Sequence, residues 1–469
     1  MTVRKKILIA GGGITGLAAA YYLQKEINEK GLPYDVKLVE AGSRLGGKIK
    51  TTRRNGFVIE QGPDAILSRK QPGVKLVEEL GMRDQMVRNG TGQSYILVNN
   101  KLHKMPAGAY MGIPVRVRPF LFSGMFSPAG KLRAGMDFMK PRGKAGDQSL
   151  GAFFRRRFGN ELVENLIEPL LSGIYAGNID DMSIKATFPN FQQLEQEHRS
   201  LMKGLQKTMP EKTKPQKKSD GKQQGAFFSF ANGLETLVER LGEVLGDTVS
   251  LGVGVDHVEK KDQGYHVLLS NGDVYKADAV IMATPHDTLP KIFSQFSLFD
   301  AFRDIPATSV ANVAMAFDAS AIKQDIDGTG FVVSRTSDYR ITACTWTHKK
   351  WPNAAPDGKA LVRCYVGRPD DQAVVDLPDD DITDIVLNDL NNTMNITAKP
   401  EFSVISRWKN AMPQYTVGHT ERIANVRGDM SQELPGVFLA GSSYEGVGVP
   451  DCIDQGEKAV SDVLAFLSD

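Results

Sequence analysis

Residues 11 to 16 and 40 to 48 carry the groups in this chain best suited to holding a ligand. Gly11, Gly12, Gly13, Ile14, Thr15 and Gly16 follow an apolar, β-branched run from Ile7 to Ala10 and lead into a good helix former, so G-x-G-x-x-G falls at a strand-to-helix turn. The first glycine of that pattern allows a tight turn, the second lets backbone approach a pyrophosphate, and the third lets helix pack closely on strand. Phosphates would then lie at a helix N-terminus, where free N–H groups and the dipole favour negative charge. About two dozen residues further on, a second strand ends in Glu40 and Ala41; the carboxylate is placed to accept from a ribose 2′-hydroxyl and disfavours a 2′-phosphate. Arg44 and Lys48 flank Gly46-Gly47, a loop that brings two cations and a flexible backbone to the same place. An ordinary βαβ unit without a ligand is the plain alternative.

These turns need a large scaffold, and 469 residues with 41% apolar side chains provide one, enough for two or three domains. A formal charge of +2 gives no argument for a nucleic-acid or strongly acidic partner. Cys344, Cys364 and Cys452 form no C-x-x-C and stand apart from clustered histidines, which points to a reducing compartment and away from zinc or iron–sulfur; no metal is expected. The start, MTVRKKILIAGGG, has a basic opening before apolar residues as a leader would, but the run is short and enters the glycine turn, so it reads as the first strand. No apolar run approaches the roughly 18 residues of a membrane span. A cytoplasmic protein with at most peripheral membrane contact is expected.

Dinucleotide-fold pieces recur at the start, middle and end of the chain. The expected fold is α/β: a Rossmann-like binding domain from 1–66, 222–288 and 405–469, an α+β substrate-binding domain from 67–90 and 289–404, and a mostly helical insertion, 91–205, over the active site. Within the insertion, Tyr110 to Phe126 is apolar without a clear period and Leu150 to Ile174 reads as an amphipathic helix, so the insertion is a lid on its own domain or an exposed lip. Residues 203 to 222 carry seven lysines against Glu211 and Asp220, and 206–221 reads as a basic flexible loop. The closing strand, Val437 to Ala440, runs into Gly441, and Gly446-Val447-Gly448 precedes a last helix.

The first glycine turn, the Glu40-Ala41 strand end and the Arg44 to Lys48 loop resemble the fingerprint of the flavin amine oxidase superfamily, which implies FAD. Arginine is commoner in that superfamily where Lys48 stands, and lysine keeps the charge but loses the bidentate fork. Gly62-Pro63-Asp64, Asn165 to Gly177, Met412 to His419 and Gly446 to Ile453 together resemble the protoporphyrinogen oxidase family, over nearly the whole chain. The likeness is greatest to its soluble Gram-positive members, which act on coproporphyrinogen III. It implies a six-electron oxidation by three hydride transfers to flavin, with O2 reduced to hydrogen peroxide, and a transient handover to ferrochelatase. Protoporphyrinogen IX is the alternative substrate; amine oxidation, carotenoid desaturation and a non-catalytic flavoprotein partner are the other readings.

The resemblance also assigns roles. Gly62, Pro63, Asp64, Ala65, Gly441, Gly446, Val447 and Gly448 would border the flavin, and Val255 would lie against adenine or be simple core. Trp408 would touch the flavin or cap its site. Lys70, with Arg69 beside it, would hold substrate carboxylates, and Ile174 and Tyr175 would pack on the macrocycle. Tyr365 would face the flavin, orienting substrate or pairing with Asn312, and strand alternation puts it on one face with Arg363. His419 is a candidate base, but a histidine in a Gly-His turn is more often structural.

Overall fold

The computed structural model describes residues 4–90, 92–208, 225–324 and 326–468, so most of the 206–221 loop lies outside the described residues. Five parallel strands form a central sheet in the order Val249–Leu251, Tyr34–Glu40, Lys5–Ala10, Ala279–Met282, Val437–Leu439. Both faces are covered, which is why these strands read as unbroken apolar runs. Ile7 and Ile9 enter one core with the helices Ile14–Lys30, Glu235–Leu245 and Val449–Ser468. Leu8 and Ala10 enter another beneath the three-stranded meander of residues 255–277. The first and last helices cross closely: a Cβ on Gly456 would stand 2.5 Å from the Thr15 carbonyl oxygen. Three distant segments therefore build one Rossmann-like domain, as expected.

A seven-stranded sheet forms the second body, in the order 402–413, 307–318, 359–366, 341–346, 330–333, 95–98, 101–104. The helix Asp379–Met394 covers one face with Ile382, Val386 and Leu390. The opposite face carries Asn312, Arg363 and Tyr365 toward residues 57–64 of the dinucleotide domain. Two expected boundaries need correction. Strands 95–98 and 101–104 belong to this sheet, through parallel pairing with 330–333, and not to the helical insertion. Phe402–Pro413 pairs along Ala307–Asp318, so a boundary at 405 cuts through the sheet.

The insertion is largely helical, but Leu150 to Ile174 is not one helix. Gly159, at φ +86°, ends Leu150–Phe158, and the chain resumes through a wide turn of helix at Val163–Ile167 before Glu168–Tyr175. Its core is aromatic, with Phe120, Phe126, Phe153, Phe154, Phe158 and Phe191. Arg157 lies fully buried in it between Asp137 and Glu195, so its charge is compensated. The apolar stretch divides between the two expectations: Phe120, Met125 and Phe126 are buried, whereas Leu121 and Phe122 are exposed.

Candidate functional site

Backbone closeness defines the first edge of the site. Gly11 has φ +110°, and a Cβ there would lie 2.7 Å from the Ala283 carbonyl oxygen; at Gly16 it would lie 1.9 Å from that of Gly11. Gly13 differs, with nothing within 4 Å of its would-be Cβ, so the space above the first helix turn, where Ile14 and Thr15 begin the helix, is open. Glu40 accepts from the Gly12 amide at 2.6 Å and the Gly42 amide at 2.7 Å, one on each carboxylate oxygen, which leaves each oxygen a further lone pair. Next to it, Gly252 and Val253 donate to the Gly42 and Glu40 carbonyls, and Gly254 packs on Ala41. Val255 therefore stands half-buried beside the Glu40 strand end.

The two cations of the next loop part company. Arg44 donates to the carbonyls of Leu45, Gly47 and Ile49 and lies 3.7 Å from Glu235, so its guanidinium closes its own loop. Lys48 crosses the cleft, its Nζ 3.2 Å from Ser442 Oγ, and burial pushes its pKa down. No carboxylate lies within ion-pair distance of it among the described residues.

A second turn brings the sheets together. Gly62 admits no side chain: a Cβ would sit 1.9 Å from the Lys48 carbonyl oxygen and 3.7 Å from the Trp408 ring. Trp408 Nε1 donates to the Gln61 carbonyl at 2.7 Å. Asn312 Nδ2 donates to the Glu60 and Gln61 carbonyls at 2.9 and 3.2 Å, and its buried Oδ1 has no partner among the described residues. Tyr365 sits directly opposite Asn312 in strand register, but its hydroxyl accepts from Arg363, so the expected Tyr365–Asn312 pair is not formed. Tyr365 and Arg363 do share a face. Pro63 and Ala65 are half-buried on the turn. Asp64 turns away from the glycines to meet Lys350 at 2.7 Å and Arg363 at 3.2 Å, and these two cations hold its carboxyl well below the usual range despite burial. Four residues earlier, Glu60 has the opposite fate: burial pushes it up to about 7, although Leu234 N–H and Thr51 Oγ1 both donate to it.

The closing turn supplies the third edge. Gly441 and Gly446 have φ of +135° and +85°, and Gln455 pins both, accepting from the Gly441 amide at 3.1 Å and donating to the Gly446 carbonyl at 3.4 Å. Gly448 leads into the last helix, and Val447 leans on the core of the insertion. Tyr415 OH donates to the Ser442 carbonyl at 2.8 Å, and the Tyr415 ring touches Tyr175 at 5.5 Å and stacks on His419 at 4.2 Å. His419 is buried with Nε2 on the Tyr444 carbonyl, and burial lowers its pKa to about 4. That environment is structural.

The residues expected to meet substrate differ in exposure. Tyr175 is buried and burial raises its pKa, while Ile174 beside it is 42% exposed. Gln414 Nε2 holds the Tyr175 carbonyl at 2.9 Å, just before Ala176 turns left-handed at φ +49°. Lys70 forms an ion pair with Asp451 of the closing helix, and Arg69 is exposed.

Residues 14–464 match the family described as flavin containing amine oxidoreductase. The chain belongs to that family. It is 51% identical over 466 residues to a coproporphyrinogen III oxidase of Bacillus subtilis (strain 168), covering 99% of both chains. A coproporphyrinogen III oxidase of Staphylococcus aureus (strain NCTC 8325 / PS 47) is 42% identical, over 99% of this chain and 100% of that one. The crystal structure of a protein from Exiguobacterium sp. 255-15, provisionally described as a protoporphyrinogen oxidase, superposes with a TM-score of 0.87 at 38% identity, covering 99% of each chain.

A flavin cofactor goes with the family, and the three edges fit one. Gly13 and Gly441 leave space that a side chain would fill, and among the described residues the half-buried Lys48 meets no carboxylate at ion-pair distance and the Asn312 Oδ1 acceptor is unsatisfied. Of the residues expected to touch cofactor, Gly11 to Gly16, Glu40, Lys48, Gly62, Gly441 and Gly446 to Gly448 line these edges. Arg44 and Asp64 engage the protein's own backbone and charges. Ser442, Gln455 and Gln414 escaped the sequence reading as site residues. Ser442 and Gln414 act on groups far away in the chain, which leaves no local pattern, and Gln455 acts on backbone groups 9 to 14 residues before it.

Proposed function

We propose that the protein is an FAD-dependent, oxygen-using oxidase that converts coproporphyrinogen III to coproporphyrin III, consuming three O2 and releasing three H2O2 for six electrons. The observation that supports it best is that Lys70, paired with Asp451, and the Tyr175 ring, near enough to feel the same carboxylate, bring a cation and an apolar ring together at the closing glycine loop. An apolar macrocycle ringed by carboxylates needs that combination. The bound flavin would accept the hydride equivalents and pass them to oxygen.

The chain's own residues would bind, orient and shield. Glu40 would take the ribose hydroxyls, and the amides of residues 12 to 15 the pyrophosphate. Lys48 and the N-terminus of the last helix would favour negative charge at the reacting ring, the helix by roughly 0.3 to 1 kcal/mol exposed and about 2 when partly buried. Tyr365, its pKa pushed up to about 12 by burial, would remain a neutral hydroxyl beside the substrate, with Asn312 fixing the turn at Glu60 and Gln61 beneath it. Ile174, Tyr175, Arg69 and Lys70 would hold the macrocycle and its propionates. Its product would pass to a ferrochelatase for iron insertion.

The test is aerobic porphyrin fluorescence after adding the flavin-loaded protein to coproporphyrinogen III or protoporphyrinogen IX, with spontaneous oxidation subtracted. A higher kcat/KM for the tetracarboxylate is the expected result. Preference for the dicarboxylate moves the enzyme to protoporphyrinogen IX, and silence on both removes the porphyrinogen reading.

A further inference from the structure

Lys70 and Asp451 lie 381 residues apart in sequence and meet across the cleft, with side-chain exposures of 40% and 30%. Asp451 is held in place by glycines. A Cβ on Gly446 would stand 2.9 Å from its Cβ, and one on Gly448 would stand 2.6 Å from its Oδ2. The carboxylate is therefore seated against the backbone of the loop that borders the flavin, with Tyr175 close enough to feel its charge. Arg69, the neighbouring cation, has no acidic partner among the described residues. One cation of the pair is committed and the other is available.

We propose that Asp451 is a specificity-determining residue, the resident counter-ion of Lys70 that a substrate propionate must displace. This rests on the assignment of Lys70 to substrate carboxylates. Exchanging one carboxylate for another on the same ammonium gains little by itself, and it leaves Asp451 facing the incoming anion. A ligand gains only if it brings a further carboxylate to Arg69 or buries enough apolar surface against Ile174 and Tyr175 to hold the exchange in place. A macrocycle without carboxylates at this edge leaves the pair closed. The pair thus selects for a polyanionic ligand by opposing every anion equally and rewarding only those that make a second contact.

The experiment measures the Kd of coproporphyrin III for the flavin-loaded protein by fluorescence quenching, in the wild type, Asp451→Asn, Asp451→Ser, Lys70→Met and Lys70→Met/Asp451→Asn. Flavin absorbance confirms that each variant is folded, and the two Asp451 variants give independent routes to the same answer. Asp451→Asn is expected to tighten binding about two- to fivefold, the range for a partly exposed ion pair. Lys70→Met is expected to weaken it, and in that background Asp451→Asn should tighten binding clearly less than in the wild type, since only the direct repulsion between the two carboxylates is then relieved. Absence of tightening in both Asp451 variants overturns the proposal. So does equal tightening with and without Lys70, which would make Asp451 a general repelling charge. If the wild type retains flavin but neither binds coproporphyrin III nor oxidises coproporphyrinogen III, the functional reading itself fails, and this inference falls with it.

Discussion

The two sides of the cleft are made from different materials. On the flavin side the contacts come from backbone: glycine turns at 11–16, 46–47, 62 and 441–448, most of them so tight that a methyl group would overlap a carbonyl or a neighbouring side chain. On the substrate side they come from side chains, half-exposed and paired with one another, such as Lys70 with Asp451. A backbone-built wall fixes geometry and tolerates little substitution where it is tightly packed, whereas a side-chain wall can be retuned without disturbing the fold. The first suits a cofactor that stays, the second a substrate that must enter and leave.

The sharpest way to break this comparison is to add a methyl to the rigid side. Gly16→Ala and Gly62→Ala each place a Cβ 1.9 Å from a backbone oxygen. Both should destabilise the protein by about 4 kcal/mol or more and yield colourless or aggregated material, seen in the 450 nm flavin band and in denaturant unfolding. Gly13→Ala should behave differently, because its methyl enters open space: thermal stability of the flavin-free chain stays near wild type while flavin affinity falls. Equal stability losses at positions 13 and 16 would contradict the division between packing and ligand space.

Where the two sides meet, Asp64 and Glu60 should respond to pH with opposite signs. The Asp64 carboxyl is held below its unfolded value of about 3.9, so it adds stability above about pH 4 that is lost as pH falls through the folded value. Asp64→Asn should cost about 3 to 5 kcal/mol at pH 7, because it leaves the buried Arg363 uncompensated, and should flatten the acid limb of the unfolding curve. Glu60, raised to about 7 from an unfolded value of about 4.3, binds its proton more tightly when folded; stability therefore declines between about pH 4 and 7 and levels off above. Glu60→Gln should improve relative to wild type by up to about 3 kcal/mol between pH 4 and pH 8. Parallel pH slopes for the two variants would refute this opposition.

The smallest effect is expected on the adjustable side. Ile174 is 42% exposed, so Ile174→Ala should change stability by less than about 1 kcal/mol and appear chiefly as a raised KM for porphyrinogen. A large stability loss there would show that the substrate wall is as rigid as the flavin wall.

This division also explains what could be read in advance. Glycine turns were legible because tight backbone demands a residue without Cβ, and the demand repeats at fixed spacing. Arg44 shows how far a pattern reaches: a cation beside a glycine loop can serve a phosphate or its own carbonyls, both uses ask for the same residue, and here it donates to the carbonyls of Leu45, Gly47 and Ile49. Asn312 and Tyr365 do stand opposite one another on paired strands, but the hydrogen bonds of Asn312 are decided by the turn at 60–61, some 250 residues away. The boundary at 91 failed for the same reason: residues 95–98 are an ordinary strand whose parallel partner, 330–333, is remote in sequence.

The order of the central sheet carries a consequence for how the protein is made. Its fifth strand, Val437–Leu439, and the helix that packs on the first glycine turn, Val449–Ser468, are synthesised more than 420 residues after that turn. A nascent chain stopped before residue 437 has the Gly11 to Gly16 turn but lacks Ser442 to meet Lys48, Gln455 to shape the closing loop, and Gly456 to meet Thr15. Stable retention of flavin is therefore expected only once residues 437–468 have been made and have closed on the first glycine turn, so the yellow colour reports that closure.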